Sequence, residues 1–265
     1  MQETCHELLT EYRALAELCD TLSLEDWQLR TDFYGWTPWD EIAHLLYFDQ
    51  TALQSVRDPE GFVADAKALA RDMAKGAAIS ALSRETFGSL DGAALLRRWR
   101  DTFESLVVEL SVQDPKARLN WYGPTMSAKS FATARLMEVW AHGQDIWDVM
   151  RRPRPGSLRL KAVAHIGVST FGWTFINRQL PVPAPQPYVE LMAPDGNVLT
   201  WGESSAENFV RGTLQDFCLL VTQRRHRADT GLQWQGEAAD QWTLLAQCFA
   251  GPPADGPAPG QRPAI

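Results

Sequence analysis

Apolar residues recur every three or four positions over the first 20 residues, at Leu8, Leu9, Tyr12, Leu15, Ala16 and Cys19, with acidic residues between them. That spacing gathers them on one face of a helix and leaves the other face wet. The same period returns in "TPWDEIAHLLYFDQTAL". There Thr37 and Asp40 have the spacing of a capping box, with Asp as the shorter substitute for Glu or Gln. Pro38 falls at the first helical position, where its missing N–H costs nothing, so a helix is expected from Pro38 to about Arg57. Ser23 with Asp26 can cap a short helix ahead of it. A third helix is expected over 60–75. After a break at "GAAIS" a long one is expected over 90–112, with Ser89 as its cap. Gly92, Val107 and Val108 weaken its propensity without ending the period. Pro115, Gly123 and Pro124 make the next segment a loop, which carries Trp121 and Tyr122. Ser127 then opens a helix that runs through "ARLMEVWAHGQDIWDVM". Residues 1–152 therefore predict an antiparallel bundle of about four main helices.

The pattern changes after "RRPR", which reads as a helix exit and linker. "SLRLKAVAHIGVSTFGWTFINRQL" predicts a helix, or a helix with a Gly-containing bend, and "PVPAPQP" stops it in extended chain. "YVELMAPDGNVLTWG" holds two β-prone runs around Pro-Asp-Gly and predicts a hairpin. "ENFVRGTLQDFCLLVTQRR" reads as a strand and a helix, "GLQWQG" as a strand, and "EAADQWTLLAQCF" as a last helix. A smaller α+β domain over 153–252 is expected, followed by a flexible Gly/Pro-rich tail at 253–265.

Composition narrows the function classes. The chain of 265 residues can bury a substantial core, in one large domain or two smaller ones. It carries 33 acidic against 25 basic residues, a formal charge of -8, which argues against a general nucleic-acid surface. Four cysteines without a CxxC pair predict neither a disulfide framework nor a Cys-rich zinc site. The charged N-terminus lacks an apolar signal region and no apolar run is long enough to span a bilayer. The expectation is a soluble cytoplasmic protein with no membrane partner. There is no GxSxG, GxGxxG or Walker loop to support a serine hydrolase or a nucleotide cofactor. Eleven tryptophans predict a heavily aromatic core or pocket lining.

Within this frame Glu138 and His142 stand four apart, on one helical face. Spacing leaves two readings open: a common surface pair, or half of a metal site. Leu136, Met137, Val139, Trp140, Ile146 and Trp147 surround the two positions, and a carboxylate among large apolar groups needs a partner. His44 offers a third donor if its helix packs alongside. The mixed N/O set would suit a divalent ion such as zinc, with a position open for water or substrate.

"GWTPWDEIAHLLYFDQTAL", with "ARLMEVWAHGQDIWDVM" far downstream, resembles the mycothiol-dependent maleylpyruvate isomerase family of the DinB-like superfamily. "NWYGPTMSAKSFATARLMEVWAHGQDI" and "DFCLLVTQRRHRADTGL" are similar to an actinobacterial group within it, described mostly as metal-binding proteins. The resemblance implies an α+β chain: an N-terminal DinB-like four-helix bundle and a smaller C-terminal α+β domain. It implies His44, Glu138 and His142 as ligands of one divalent ion, zinc, with mycothiol as cosubstrate. The implied activity is isomerase or S-transferase on a small electrophilic substrate carrying a carboxylate. Two other readings stay open: a thiol-independent hydrolase, lyase or isomerase acting on a small oxygenated metabolite, and a non-catalytic metal-binding protein. Each fits a monomer or homodimer with a small-molecule partner.

Further positions follow from these. Asp145 shares the face of Glu138 and His142 and can orient a ligand imidazole or hold a substrate water. The resemblance makes Trp121 and Tyr122 lining of the site's mouth; the alternative is that they plug the bundle end. Arg135, three before Glu138, is either a cofactor-binding or salt-bridging group near the ion, or an exposed helix arginine. Arg224 and Arg225 are expected at a helix end, where the dipole favours them, and one of them is a candidate for a substrate or thiol carboxylate. His226 is a candidate acid–base group, and His165 is expected to be packed.

Overall fold

The computed structural model describes residues 1–74 and 79–262; the expected break at "GAAIS" lies largely outside the described residues. The chain divides into two compact units, Met1–Arg152 and Pro153–Ile265.

In the first unit α1 (Gln2–Asp20), α2 (Pro38–Arg57), α5 (Gly92–Ser111) and α6 (Ala128–Val149) form a four-helix bundle. α1 packs on α5 and α6, and so does α2. The core carries the apolar stripes read from the sequence: Leu8, Tyr12 and Leu15 of α1, Ile42, Leu45 and Leu46 of α2, and Leu136, Val139 and Ile146 of α6 are all within 1 % of full burial. α3 (Pro59–Ala74) and α4 (Ile79–Phe87) lie against α2, and α4 has no counterpart in the sequence reading.

The helix starts follow from their caps. At α2 the Thr37 side chain accepts from the Asp40 N–H while the Asp40 carboxylate accepts from the Thr37 N–H, a complete capping box with Pro38 inside it. Ser127 caps α6, accepting from the Ser130 N–H at 3.1 Å. Ser23 and Asp26 bond reciprocally ahead of a single 3₁₀ turn, Asp26–Gln28. The cap of α5 is Asp91, whose carboxylate accepts from the Ala94 N–H at 2.7 Å, and not Ser89. An ionised acceptor at the positive helix end is the stronger group there.

Gly92 follows, and the Trp27 indole lies against it: a Cβ at this position would meet Trp27 Cδ2 at 2.3 Å. Gly92→Ala is accordingly expected to destabilise the bundle by about 1–3 kcal/mol through overpacking, despite alanine's better helix propensity. Denaturant unfolding would measure it. A variant as stable as the parent would mean that the indole moves aside freely. The loop before α6 contains a short antiparallel pair, β1 (Arg118–Leu119) and β2 (Met126–Ser127), where only loop was expected.

The second unit opens with α7 (Leu160–Ser169) and α8 (Phe171–Ile176). The bend between them falls at Thr170; Gly167 lies within α7, where a Cβ would meet Val221 Cγ2 at 2.8 Å. β3 (Tyr188–Met192) and β4 (Val198–Trp201) form the hairpin over Asp195 and Gly196. β5 (Phe209–Thr213) runs parallel to β3, and β6 (Gln233–Gln235) is antiparallel to β5, giving the order β4-β3-β5-β6. α9 (Leu214–Val221), capped by Thr213, packs on β3, β5 and α7, and α10 (Glu237–Leu245) lies by α8 and β6. Phe171, Phe175, Phe217 and Trp242 share a buried core in edge-to-face contacts. At 253–262, where composition predicts a flexible tail, the Ala254 N–H donates to Gln247 Oε1 at 3.1 Å and the Gly260 N–H to the Asp229 carboxylate.

All four cysteines are buried free thiols. No helix among the described residues is long and apolar enough to cross a membrane.

Candidate metal centre

Two bundle helices bring the donor groups together. α2 supplies His44 and α6 supplies Glu138 and His142, one turn apart on the same face. One donor atom from each lies within 4.8 Å of the other two. His142 Nε2 and Glu138 Oε2 are 3.4 Å apart, and the His44 and His142 ring centres are separated by 4.4 Å. Zinc bonds of ~2.0–2.1 Å at tetrahedral angles set donors roughly 3.4 Å apart, so the spacing and the two-nitrogen, one-oxygen set fit such an ion. Three donors also leave a further position for an exogenous ligand.

The loop before α2 covers this set. Tyr34 and Gly35 both adopt positive φ, 51° and 69°, which reverses the chain so that the Trp36 N–H bonds the Phe33 carbonyl and the Trp36 carbonyl accepts from the Thr31 N–H. Tyr34 stays exposed while Phe33 and Trp36 meet the imidazoles. Trp36 stacks on His142 at 5.9 Å and 15° and lies 5.2 Å from His44, and Phe33 meets the edge of His142 at 5.5 Å. On the other flank Phe48 is 4.7 Å from His44 and touches Trp121 and Tyr122.

Trp121 also stacks on the buried Phe62 and contacts Phe131. Tyr122 shares that cluster, half-buried, and desolvation pushes its phenol up to about 12 against the Thr51 hydroxyl, which lowers it. It remains a neutral hydroxyl at ordinary pH.

His142 is held from behind. Its Nδ1 lies 2.7 Å from Oε2 of Glu41, which is fully buried three residues before His44. Thr31 Oγ1 donates to Glu41 Oε1 at 3.5 Å. Asp145, 2 % exposed, joins Glu41 and His142 in a second group of donor atoms within 4.8 Å of one another. Asp145 thus stands near His142, together with Glu41, which the sequence reading did not single out. The signal available in the sequence was an acidic residue beside Ile42 and Ala43, on the buried side of an apolar helix.

Arg135 departs from the exposed arginine of the sequence reading. It is 4 % exposed and its Nε donates to Asp49 Oδ1 at 2.9 Å. Tyr12 Oη donates to the same oxygen at 2.6 Å and Trp99 Nε1 to Oδ2 at 2.8 Å, so one carboxylate ties α1, α2, α5 and α6 together. Burial pushes the Asp49 carboxyl up, while Arg135 and the hydrogen bonds pull it back. Glu138, one turn on, lies within electrostatic reach of Arg135. The arginine, one turn before Glu138, is thus salt-bridged to an internal carboxylate.

In the second unit Arg224 and Arg225 follow the end of α9 and are buried. Arg224 Nη1 donates to the Thr222 carbonyl and Arg225 Nη1 to the Arg224 carbonyl, contacts suited to the negative end of a helix. His226 Nδ1 accepts from the Ala228 N–H, capping a 3₁₀ turn. His165 is exposed, contrary to expectation, because the α7 stripe faces inward through Val163, Ala164, Gly167 and Val168.

Comparison with known proteins gives three likenesses. Residues 8–147 match the family model of the mycothiol maleylpyruvate isomerase N-terminal domain. The chain is 40 % identical over 250 residues to an uncharacterised protein of Mycobacterium tuberculosis, found in strains H37Rv and CDC 1551, covering 94 % of this chain and 96 % of that one. A crystal structure of the mycothiol-dependent maleylpyruvate isomerase aligns with TM-score 0.55 and 14 % identity over 88 % of this chain and 91 % of that chain. A histidine-to-alanine mutant of that enzyme aligns with the same score over 84 % and 89 %. At this identity the likeness is one of fold.

Proposed function

This chain belongs to the family of the mycothiol maleylpyruvate isomerase N-terminal domain, and on that premise we propose that it is a divalent-metal enzyme acting with a low-molecular-weight thiol of the mycothiol type. Its reaction would be an isomerisation or S-transfer on a small electrophile carrying a carboxylate. The observation that carries this reading is the convergence of His44, Glu138 and His142 from two helices onto one point.

His44, Glu138 and His142 would hold the ion, and their two-nitrogen, one-oxygen set suits zinc. When bound, the ion supplies a fixed positive charge that lowers the pKa of a thiol and yields thiolate near neutral pH. The protein's own groups do the rest. Glu138 brings one negative charge to the set, and Glu41 and Asp145 sit behind His142. Phe33 and Trp36 cover the imidazoles and keep water from that side. Tyr122, a neutral hydroxyl at ordinary pH, belongs to the aromatic flank that Phe48 extends from His44.

That flank also favours a second reading. Trp36, Phe48, Trp121 and Tyr122 form an aromatic surround that suits a small oxygenated metabolite handled without a thiol.

Metal analysis and calorimetry with mycothiol separate the two. The expected result is one zinc per chain and mycothiol binding that disappears on chelation. A zinc-loaded protein that does not bind mycothiol would end the thiol reading and leave the thiol-independent enzyme and the non-catalytic metal-binding protein. A protein that retains no stoichiometric ion after zinc loading would end all three.

A further inference from the structure

Glu41 belongs to none of the three donor positions, yet it is the most completely buried acidic group beside them, with no exposed surface. A buried carboxylate is costly unless hydrogen bonds satisfy it. Here its Oε2 meets His142 Nδ1 at 2.7 Å, the length of a charge-assisted bond, across 101 residues of sequence. The opposite ring nitrogen, Nε2, faces Glu138 Oε2 at 3.4 Å, on the side where His44 stands.

A neutral imidazole has one N–H, and an ionised carboxylate can only accept. We propose that Glu41 is a positioning residue: it holds the hydrogen of His142 on Nδ1, fixes the ring plane, and leaves the Nε2 lone pair aimed at the ion site. Three features support the assignment. Glu41 and His44 lie on the same helix three residues apart, so one rigid element sets both the first imidazole and the orientation of the second. Trp36 stacks over one face of the His142 ring, and the contact from Nδ1 to Glu41 limits its rotation about Cβ–Cγ from the ring's edge. Thr31, at the base of the loop that carries Phe33 and Trp36, lies 3.5 Å from the other Glu41 oxygen, its one hydroxyl hydrogen shared with the Phe33 carbonyl. The covering loop and the ligand ring thereby approach one carboxylate.

The affinity consequence rests on the metal reading above; the tautomer consequence does not. Long-range ¹H–¹⁵N correlation of the His142 ring in metal-free protein, at a pH where the ring is neutral, is expected to show the Nδ1–H form. Glu41→Leu should shift the ring toward Nε2–H and weaken zinc binding, measured by chelator competition, by about 10–100-fold, the usual loss for a partner of a ligand histidine. Cobalt loaded in place of zinc should show a changed ligand-field spectrum in the same variant. Glu41→Gln retains an acceptor oxygen and should restore the Nδ1–H form and most of the affinity, which a merely space-filling role would not require.

An Nε2–H ring in the parent overturns the proposal, and that measurement needs no variant to fold. So does Glu41→Leu that keeps the parent tautomer and zinc affinity. If the parent binds no zinc, the metal reading fails by itself, and the tautomer still decides the role of Glu41.

Discussion

His142→Ala is expected to leave the protein without stoichiometric zinc and without metal-dependent turnover. The substitution removes the Nε2 donor that faces Glu138 and stands beside His44, so two donors remain where three converged. The loss of zinc affinity should exceed the ~10–100-fold that follows from removing a mere partner of a ligand. Alanine keeps the helix propensity of α6, so the backbone is not the cause. The cavity does carry a cost. Glu41 loses its imidazole partner, and an orphaned buried acceptor costs about 1–3 kcal/mol.

Thermal shift separates the two effects. A ligand at 100 times its Kd stabilises a fold by about 2.7 kcal/mol, so zinc should raise the Tm of the parent and not that of His142→Ala. His165→Ala, on an exposed position, should respond as the parent does. A His142→Ala protein that still binds one zinc per chain with parent affinity would sink the assignment of the site.

The second large effect concerns stability. Asp49 is fully buried and accepts from Tyr12, Trp99 and Arg135, and Arg135 is itself buried. Breaking one side of a buried pair leaves an uncompensated charge and costs about 3–5 kcal/mol. Asp49→Ala and Arg135→Met should each lower stability by that amount. At ~2–4 °C per kcal/mol for a chain of this size, each Tm should fall by roughly 6–20 °C. The double variant Asp49→Leu/Arg135→Met removes both charges and should cost much less than the sum, because apolar groups can replace a buried pair with little loss. Single variants within 1 kcal/mol of the parent, measured by denaturant unfolding, would show that water reaches the pair. The position adds a consequence for the site. Asp49 lies on the helix that bears His44, and Arg135 one turn before Glu138, so the pair clamps together the two helices that supply all three donors.

The bundle was legible wherever its cause was local. The Thr37–Asp40 box with Pro38 marked the start of α2, Ser127 marked α6, and Asp195-Gly196 marked the hairpin, because caps and turns are made by residues three or four apart. The Glu138 and His142 pair was legible for the same reason. α4 and the short β1–β2 pair were not, since a nine-residue helix and two-residue strands have too few positions to display a period. Ser89 has the residue type of a cap, but the helix is capped two residues later at Asp91, where the Trp27 indole lies against Gly92.

The sequence by itself determined the helical faces, the two-part division of patterns, and the donor chemistry of His44, Glu138 and His142. Tertiary structure decided the partners of Glu41, Asp49 and Arg135. Glu41 meets His142 across 101 residues and Asp49 meets Arg135 across 86, and nothing in the local pattern of either partner announces the other. A carboxylate on an apolar helix face is too costly to bury alone, so its role is set by what the fold brings opposite it. That is why the sequence leaves Arg135 open between a group near the ion and an exposed arginine, while the fold pairs it with Asp49 inside the bundle.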